Sequence, residues 1–206
     1  CAAVSSGTAA LQLLAIASNW KKNDIILATP NSFLATSNCI VYTGATPVFI
    51  DIEASTYNMD VDQLESAITS RTKAIMPVSL FGQMPDLERI NAIAAQHGIP
   101  VIEDAAQSFG ATQNGKRSCS VSTIASTSFF PAKPFGCFGD GGALFTNDDQ
   151  LAEEMKAVRN HGGKVRHHHT TVGMNGRFDT LQAAVLLGKF PSFENEVQAG
   201  NELGAR

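Results

Sequence analysis

The residue with the most distinctive chemistry is Lys133, which follows a β-prone run at 123–130 and stands in a loop rich in glycine and proline. Phe130 and Phe135 flank it. Partial removal of the amine from water would disfavour the ammonium form and leave a nucleophile toward carbonyl groups. The alternative is a solvated loop lysine, because most lysines are exposed.

Other reactive or polar side chains also stand directly after predicted strands, at 6–8, 31–33, 104–107 and 128–133. In open parallel α/β sheets the carboxyl ends of the strands meet at one edge, where ligands bind. Each segment alone has a plainer explanation, since Asp104 could cap a helix and 6–8 could be a capped helix start. Their convergence favours a small-molecule site.

The elements that must position these residues follow from the hydrophobic pattern. Apolar runs at 24–28, 47–51, 74–80, 100–104, 123–130 and 143–146 read as strands, and helical patterns fall between them at 9–18, 32–42, 61–69, 85–97, 149–160 and 179–189. This alternation is typical of βαβ units. It predicts a parallel sheet covered by helices on both faces.

The predicted site matches the chemical needs of pyridoxal 5′-phosphate. A phosphate needs N–H groups at a helix start and nearby hydroxyls, which Gly7, Thr8 and Ser128 offer. The aldehyde needs a lysine, which Lys133 supplies. The ring nitrogen stays protonated only beside a carboxylate, a role that Asp104 can fill.

Two further residues fit the same ring. Gln107 could donate a hydrogen bond to the phenolic oxygen, and Phe33 could cover the aromatic face. A nicotinamide dinucleotide would instead require G-x-G-x-x-G after the first strand, and residues 5–10 lack these glycines.

Composition excludes several other classes of function. The net charge of −4 gives no basic footprint for nucleic acid. We find no apolar run long enough for a membrane span, no signal peptide, and widely spaced cysteines without C-x-x-C, a usage typical of cytoplasmic proteins. The tract at 167–169 has no second ligand cluster, so we predict a loop and no metal site.

Several motifs spread over the chain point to one family: Ser6-Gly7-Thr8-Ala9-Ala10-Leu11, Phe33-Leu34-Ala35-Thr36, Gly44-Ala45-Thr46-Pro47-Val48, Glu103-Asp104-Ala105-Ala106-Gln107, Ser128-Phe129-Phe130-Pro131-Ala132-Lys133 and Gly139-Asp140-Gly141-Gly142. They resemble the pyridoxal-phosphate-dependent nucleotide-sugar aminotransferases of fold type I, the aspartate aminotransferase superfamily. The resemblance implies a three-layer α/β/α large domain at 1–206, with a mostly parallel seven-stranded sheet. It also implies a fragment that lacks the family's N-terminal helix and small C-terminal domain.

The resemblance assigns roles motif by motif. Lys133 corresponds to the Schiff-base lysine, Asp104 to the partner of the ring nitrogen and Gln107 to the residue at the phenolic oxygen. The remaining cofactor-binding residues that it implies are Ser6, Gly7, Thr8, Phe33 and Ser128.

Two more roles would act between subunits. Asn175 resembles the residue that reaches the phosphate of the neighbouring subunit's cofactor, and Arg177 would then meet an acidic substrate group across the same interface. From the residues alone, a turn asparagine and a solvated arginine remain open alternatives.

Segments 78–83, 107–111, 117–119 and 181–184 are most similar to aminotransferases acting on UDP-2-acetamido-3-oxo-glucuronate. The resemblance therefore implies transamination of a 3-oxo UDP-sugar, with glutamate as donor, in bacterial surface polysaccharide (lipopolysaccharide O-antigen) biosynthesis by a cytoplasmic homodimer. The retained Lys133 argues against relatives that lost this lysine and dehydrate sugars.

Two rival hypotheses are a catalytically incomplete fragment that only folds or dimerises, and a nicotinamide-dependent sugar oxidoreductase. The second would need the glycine fingerprint and a Tyr-x-x-x-Lys pair, and the sequence contains neither.

Overall fold

The computed structural model describes residues 1–165 and 167–204. Its strands are β1 Ala2–Val4, β2 Ile25–Ala28, β3 Thr46–Phe49, β4 Thr72–Met76, β5 Ile102–Asp104, β6 Thr112–Gln113, β7 Lys116–Arg117, β8 Ile124–Ser128, β9 Gly142–Thr146, β10 Gly163–Val165 and β11 His168–His169. Its helices are α1 Gly7–Ala17, α2 Ala35–Tyr42, α3 Leu64–Ala67, α4 Leu87–Gln96, α5 Asp149–Arg159 and α6 Thr180–Gly204, with 3₁₀ turns at Val61–Gln63 and Leu80–Gly82.

The large strands form a four-stranded sheet in the order β1-β9-β8-β5 and a three-stranded sheet in the order β3-β2-β4. β2 pairs in parallel with β3 and β4, and β5 pairs in parallel with β8, whereas β9 is antiparallel to β8 and β1. Isolated parallel bridges, Ile75 to Val101 and Val78 to Asp104, connect the β4 and β5 sides. The predicted α/β class is confirmed, and the single seven-stranded sheet stays a prediction.

Side-chain alternation along the strands places helices on both faces. On β2, Ile26 belongs to the buried cluster that contains Leu14 of α1 and residues of α2. Its neighbour Leu27 belongs to the cluster that contains Leu87 of α4 and residues of α3. Because successive strand residues point to opposite faces, this partition makes three layers.

Helix starts follow the side chains that can cap them. Oxygen atoms of Ser6, Asp60, Asp86 and Asp148 accept hydrogen bonds from main-chain N–H groups of the turn that follows, as helix N-caps do. The predicted helix at 61–69 is wrong in detail, because the segment is a 3₁₀ turn followed by the short α3. The helix predicted from residue 32 begins three residues later, at Ala35.

The last helix extends well beyond its predicted end at 189. Pro191 cannot donate a helical hydrogen bond. The helix nevertheless continues through Pro191 to Gly204. Its second half is fixed by packing, since the Phe193 ring lies 4.6 Å from the Phe135 ring and is buried in a third apolar cluster.

Two hairpins, β6-β7 and β10-β11, were not predicted, because strands of two or three residues carry no readable pattern. The loop predicted at 167–169 is therefore wrong in part, since His168 and His169 form the exposed β11. Among residues 1–165 and 167–204, no three potential metal ligands lie together. In the same residues, no helix combines the length and the apolar composition of a membrane span. Of the predicted domain 1–206, positions 166, 205 and 206 lie outside the described residues.

Candidate active site

A cavity of about 410 Å³ opens where α1 begins and where β5 and β8 end. The predicted site residues on its wall are Ser6, Gly7, Thr8, Phe33, Asp104, Gln107, Ser128 and Lys133. These residues come from segments far apart along the chain, and the structure brings them around one space, at the sheet edge where parallel α/β proteins bind ligands.

The start of α1 forms one end of the cavity. Ser6 Oγ accepts the Ala9 N–H at 3.0 Å, whereas Gly7 and Thr8 stand in the first turn, where N–H groups have no intrahelical acceptor. A Cβ atom on Gly7 would lie 2.7 Å from Ser128 Cβ, so glycine allows this close approach of helix and strand. Free N–H groups, the helix dipole and the Ser128 hydroxyl together form an anion site suited to a phosphate.

Asp104 lies at the end of β5 and is almost fully buried. Its Oδ2 accepts the Thr36 hydroxyl at 2.8 Å, and its Oδ1 accepts the Ala106 N–H at 3.2 Å. Burial raises the pKa of Asp104, and the hydrogen bonds from Thr36 and Ala106 and the charge of Lys133 oppose that rise. A buried carboxylate of this kind is stabilised in its ionised form by a cationic partner such as a protonated ring nitrogen.

Thr36 is a site residue that sequence reasoning missed. Its place in the sequence predicts no role for it, because nothing in its spacing connects it with a carboxylate 68 positions away. Asp140, which follows the lysine in the glycine-rich loop, lines the cavity and is a second site residue without a predicted role. Its place in the Gly139-Asp140-Gly141-Gly142 motif was the available signal.

Gln107 reaches the cavity with a defined amide orientation. Its Oε1 accepts the main-chain N–H of Phe81 at 3.0 Å. The oxygen is therefore used by the protein and the Nε2 donors are available to a ligand, which is the orientation that a phenolate oxygen requires.

Lys133 is half-buried on the wall of the cavity, beside Phe130. The predicted pair of flanking rings is only partly present, because Phe135 turns into the third apolar cluster. The loop is held from α6, where the Lys189 ammonium donates to the Gly136 carbonyl at 2.6 Å and Gln182 Oε1 accepts the Phe138 N–H at 2.9 Å.

Asn175 and Arg177 lie apart from this cavity. Arg177 lines a second cavity of about 390 Å³ with Arg159 and Lys164, and it donates to Asn160 Oδ1 at 3.3 Å. Asn175 pairs through its main chain with Asn160. Their predicted roles in a neighbouring subunit's site stay predictions.

The neighbouring carboxylate, Glu103, points to the opposite side of β5 and is fully buried. Its Oε1 accepts the hydroxyls of Ser79 and Ser118 at 2.7 and 2.6 Å, and its Oε2 accepts the Cys119 N–H at 2.8 Å. These bonds join the ends of β4 and β5 to the loop after β7. Glu103 therefore has a structural position and no access to the cavity.

An α/β sheet with a helix start suited to an anion, a buried carboxylate and an amine around one cavity is typical of the class of protein that binds small phosphorylated ligands. Comparison with known proteins identifies the group within that class. The model of the DegT/DnrJ/EryC1/StrS aminotransferase family matches residues 1–205, and the chain belongs to this family. Its members depend on pyridoxal 5′-phosphate.

Among curated relatives, UDP-2-acetamido-2-deoxy-3-oxo-D-glucuronate aminotransferase from Pseudomonas aeruginosa is 52% identical over 205 residues, covering 100% of this chain and 57% of the relative. The chain thus spans little more than half the length of that protein. The resemblance to aminotransferases of this name, drawn from the sequence, is confirmed as a similarity.

Solved structures share the fold. A DegT/DnrJ/EryC1/StrS aminotransferase from Brucella abortus superposes with a TM-score of 0.91 at 42% identity, covering 94% of this chain and 54% of that one. NtdA from Bacillus subtilis, solved with bound cofactor PMP, gives a TM-score of 0.88 at 35% identity, covering 94% and 44%. The predicted fold type I architecture is confirmed.

Proposed function

We propose that the protein to which this chain belongs is a pyridoxal-phosphate-dependent aminotransferase that acts on a keto nucleotide sugar. The observation that carries the proposal is the meeting of Lys133, Asp104 and the Gly7 turn around one cavity of about 410 Å³. Membership of the aminotransferase family supports the same function.

Both ends of the cavity carry groups that suit the cofactor. At the start of α1, Ser128 occupies the space that a side chain on Gly7 would need. The N–H groups of this turn and the Ser128 hydroxyl are therefore close together and available to a phosphate. At the other end, burial disfavours the ionised form of Asp104 and raises its pKa. A protonated pyridine nitrogen beside it would favour that form.

When bound, pyridoxal phosphate supplies a carbonyl carbon that condenses with amines and a ring that withdraws electrons. In this chain Lys133 would provide the amine that holds the cofactor, and its free amine would serve as the general base that moves a proton. Asp104 would keep the proton on the ring nitrogen. Gln107 would donate to the phenolic oxygen, and Phe33 would cover the ring face.

The substrate and assembly are proposed on the strength of the sequence resemblance. The 52% identical relative is named for a UDP-2-acetamido-3-oxo sugar acid, so we propose a 3-oxo UDP-sugar, with glutamate as amino donor, in surface polysaccharide synthesis in the cytoplasm. Arg177 would meet the acidic group of the substrate, and Asn175 the cofactor phosphate, in the second subunit of a homodimer.

The test is covalent trapping on the full-length protein that contains this chain. After incubation with pyridoxal phosphate and reduction with borohydride, we expect peptide mass spectrometry to place the cofactor on Lys133. Lys133→Ala should lose the label, whereas Lys116→Ala should retain it, because Lys116 lies on the surface in an ion pair with Glu88. Labelling of other lysines alone, or of none, would contradict the proposal.

Turnover is the second arm of the test. With glutamate and a 3-oxo UDP-sugar, the wild-type protein should produce 2-oxoglutarate and an amino sugar, and Lys133→Ala should not. A trapped cofactor without any turnover, over a panel of keto nucleotide sugars and amino donors, would instead favour the alternative of a folded domain that is catalytically incomplete.

A further inference from the structure

The turn after β4 has an unusual main-chain conformation. Phe81 has φ 55° and ψ 25°, and Gly82 follows with φ 81°. A non-glycine residue in the left-handed region is uncommon and persists where the surrounding structure holds it. Contacts from outside the turn must therefore hold this conformation.

Asn58 holds the turn at both ends. The residue is only 3% exposed. Its Oδ1 accepts the Leu80 N–H at 3.3 Å, and its Nδ2 donates to the Gln83 carbonyl at 3.1 Å. One buried amide thus supplies two hydrogen-bond partners to the turn.

A second contact between the same two segments is aromatic. Tyr57, beside Asn58 and also at positive φ (60°), packs edge-to-face on Phe81 with ring centroids 6.5 Å apart. This edge-to-face geometry is one that aromatic pairs prefer. The segment at 57–58 therefore contacts both the main chain and the side chain of the turn.

The turn presents one group to the cavity wall. The Phe81 N–H donates to Gln107 Oε1 at 3.0 Å, from within the turn whose two ends Asn58 holds. Gly82 also lies close to Gln107, since a Cβ there would be 3.6 Å from the Gln107 carbonyl oxygen. The hydrogen bond decides which end of the Gln107 amide faces the cavity.

We propose that Asn58 is a positioning residue: it acts through the 80–83 turn to fix the amide of Gln107 with its Nε2 donors toward the ligand. The inference rests on the proposed function only in taking that ligand to be the cofactor. Asn58 does not line the cavity, and its two side-chain hydrogen bonds both go to the turn.

The first test needs no cofactor. In a ¹⁵N–¹H spectrum of the protein, the side-chain amide pair of Gln107 is assigned by its loss in Gln107→Ala. We expect Asn58→Ala and Asn58→Asp to move this pair. Asn58→Asp retains the acceptor for Leu80 but places an oxygen against the Gln83 carbonyl. Asn91→Ala is the matched control, because Asn91 also holds a loop carbonyl, that of Val121, at 3.1 Å.

Should Asn58→Ala fail to fold, Gly82→Ala perturbs the same turn from the other side, because alanine is strained at φ 81°. Circular dichroism establishes that each variant is folded. An unmoved Gln107 amide in folded Asn58→Asp and Gly82→Ala would overturn the proposal.

The second test is a double-mutant cycle on the dissociation constant of pyridoxal phosphate. Gln107→Ala should weaken binding about tenfold, as the loss of one hydrogen bond to a charged oxygen does, and Asn58→Asp should weaken it by a similar factor. In the Gln107→Ala background, Asn58→Asp should add nothing. An equal loss in both backgrounds would make Asn58 merely structural and overturn the proposal. A wild-type protein that binds no cofactor would contradict the proposed function instead, and the amide spectrum would still decide the positioning role.

Discussion

Gly7→Ala is the substitution that tests the cavity most directly. The new Cβ would lie 2.7 Å from Ser128 Cβ and 3.1 Å from Ser128 Oγ. Gly7 does not have a positive φ, so alanine can adopt its main-chain conformation without strain. Any loss of stability must therefore come from the contact between the start of α1 and the end of β8.

The expected magnitude follows from two opposing effects. Overpacking by one methyl group against buried strand atoms costs about 1–3 kcal/mol. Replacing glycine by alanine lowers the conformational entropy of the unfolded chain, which stabilises the folded protein by about 0.4–1 kcal/mol. We expect a net loss of about 1–2 kcal/mol in the free energy of unfolding, together with weaker binding of pyridoxal phosphate.

Two variants of Ser128 separate the contact from a general effect. Ser128→Gly removes the atom at 2.7 Å, whereas Ser128→Ala retains it. In denaturant unfolding of the cofactor-free protein, Gly7→Ala should therefore couple to Ser128→Gly by about 1 kcal/mol and to Ser128→Ala by almost nothing.

Two results would refute the steric account of Gly7. One is a Gly7→Ala protein whose free energy of unfolding lies within about 0.5 kcal/mol of the wild-type value, which is the usual error of additivity. The other is an equal restoration of stability by both Ser128 variants. Cofactor affinity should not return in Gly7→Ala/Ser128→Gly, because that variant lacks the hydroxyl of the anion site.

Three further outcomes follow from the burial of titratable groups. Burial raises the pKa of Asp104 above its ordinary 3.8, so the folded state loses stability as the pH rises from 3.8 through the folded-state pKa. Asp104→Asn should therefore gain stability relative to the wild type across that pH range, as measured by unfolding at a series of pH values. The same variant should lose affinity for the cofactor. Thr36→Val should raise the pKa of Asp104 further, because the Thr36 hydroxyl is the largest influence that lowers this pKa. The loss of stability with rising pH should then extend to higher pH. An unchanged dependence of stability on pH would contradict this. Burial, reinforced by the charge of Asp104, raises the pKa of Cys39 to about 12. At about pH 8, below the ordinary thiol pKa, iodoacetamide should therefore label the exposed Cys1 of the native protein and leave the buried Cys39 unmodified. Mass spectrometry of the labelled peptides measures the difference.

Much of the candidate site could be predicted because the sheet itself places it. Lys133, Asp104, Gln107 and Ser128 each follow or end a strand whose apolar pattern is legible, and the ends of parallel strands share an edge. Local chemistry then specifies which residues could bind a phosphorylated ring. No knowledge of distances between segments is needed for that step.

The supporting contacts could not be predicted because they join segments without any sequence rule. Thr36 meets a carboxylate 68 positions away, and Asn58 meets a turn 22 to 25 positions away. The continuation of α6 past Pro191 likewise depends on Phe193 finding a cluster that the strand pattern does not reveal. Tertiary packing overrides local propensity in such cases.

The end of β5 carries two adjacent carboxylates, and the twofold alternation of a strand assigns them different work. Glu103 faces three hydrogen-bond donors supplied by the protein, with distances of 2.6–2.8 Å, so the fold itself satisfies its buried oxygens. Asp104 faces a cavity, has two donors, and its pKa is raised because burial outweighs them. A group that the protein leaves under-compensated beside a cavity is the one that a cationic ligand can stabilise.

Exchanging the two carboxylates, by Glu103→Asp together with Asp104→Glu, should therefore damage both positions at once. The shorter aspartate side chain at position 103 could not reach Ser118 and Cys119, which leaves buried donors unpaired and lowers the free energy of unfolding. The longer glutamate side chain at position 104 would extend into the cavity and weaken the binding of pyridoxal phosphate. Denaturant unfolding and a cofactor titration measure the two losses separately. Each single substitution should show mainly one of them, and a Glu103→Asp protein that lost cofactor affinity while keeping its stability would contradict this division of roles.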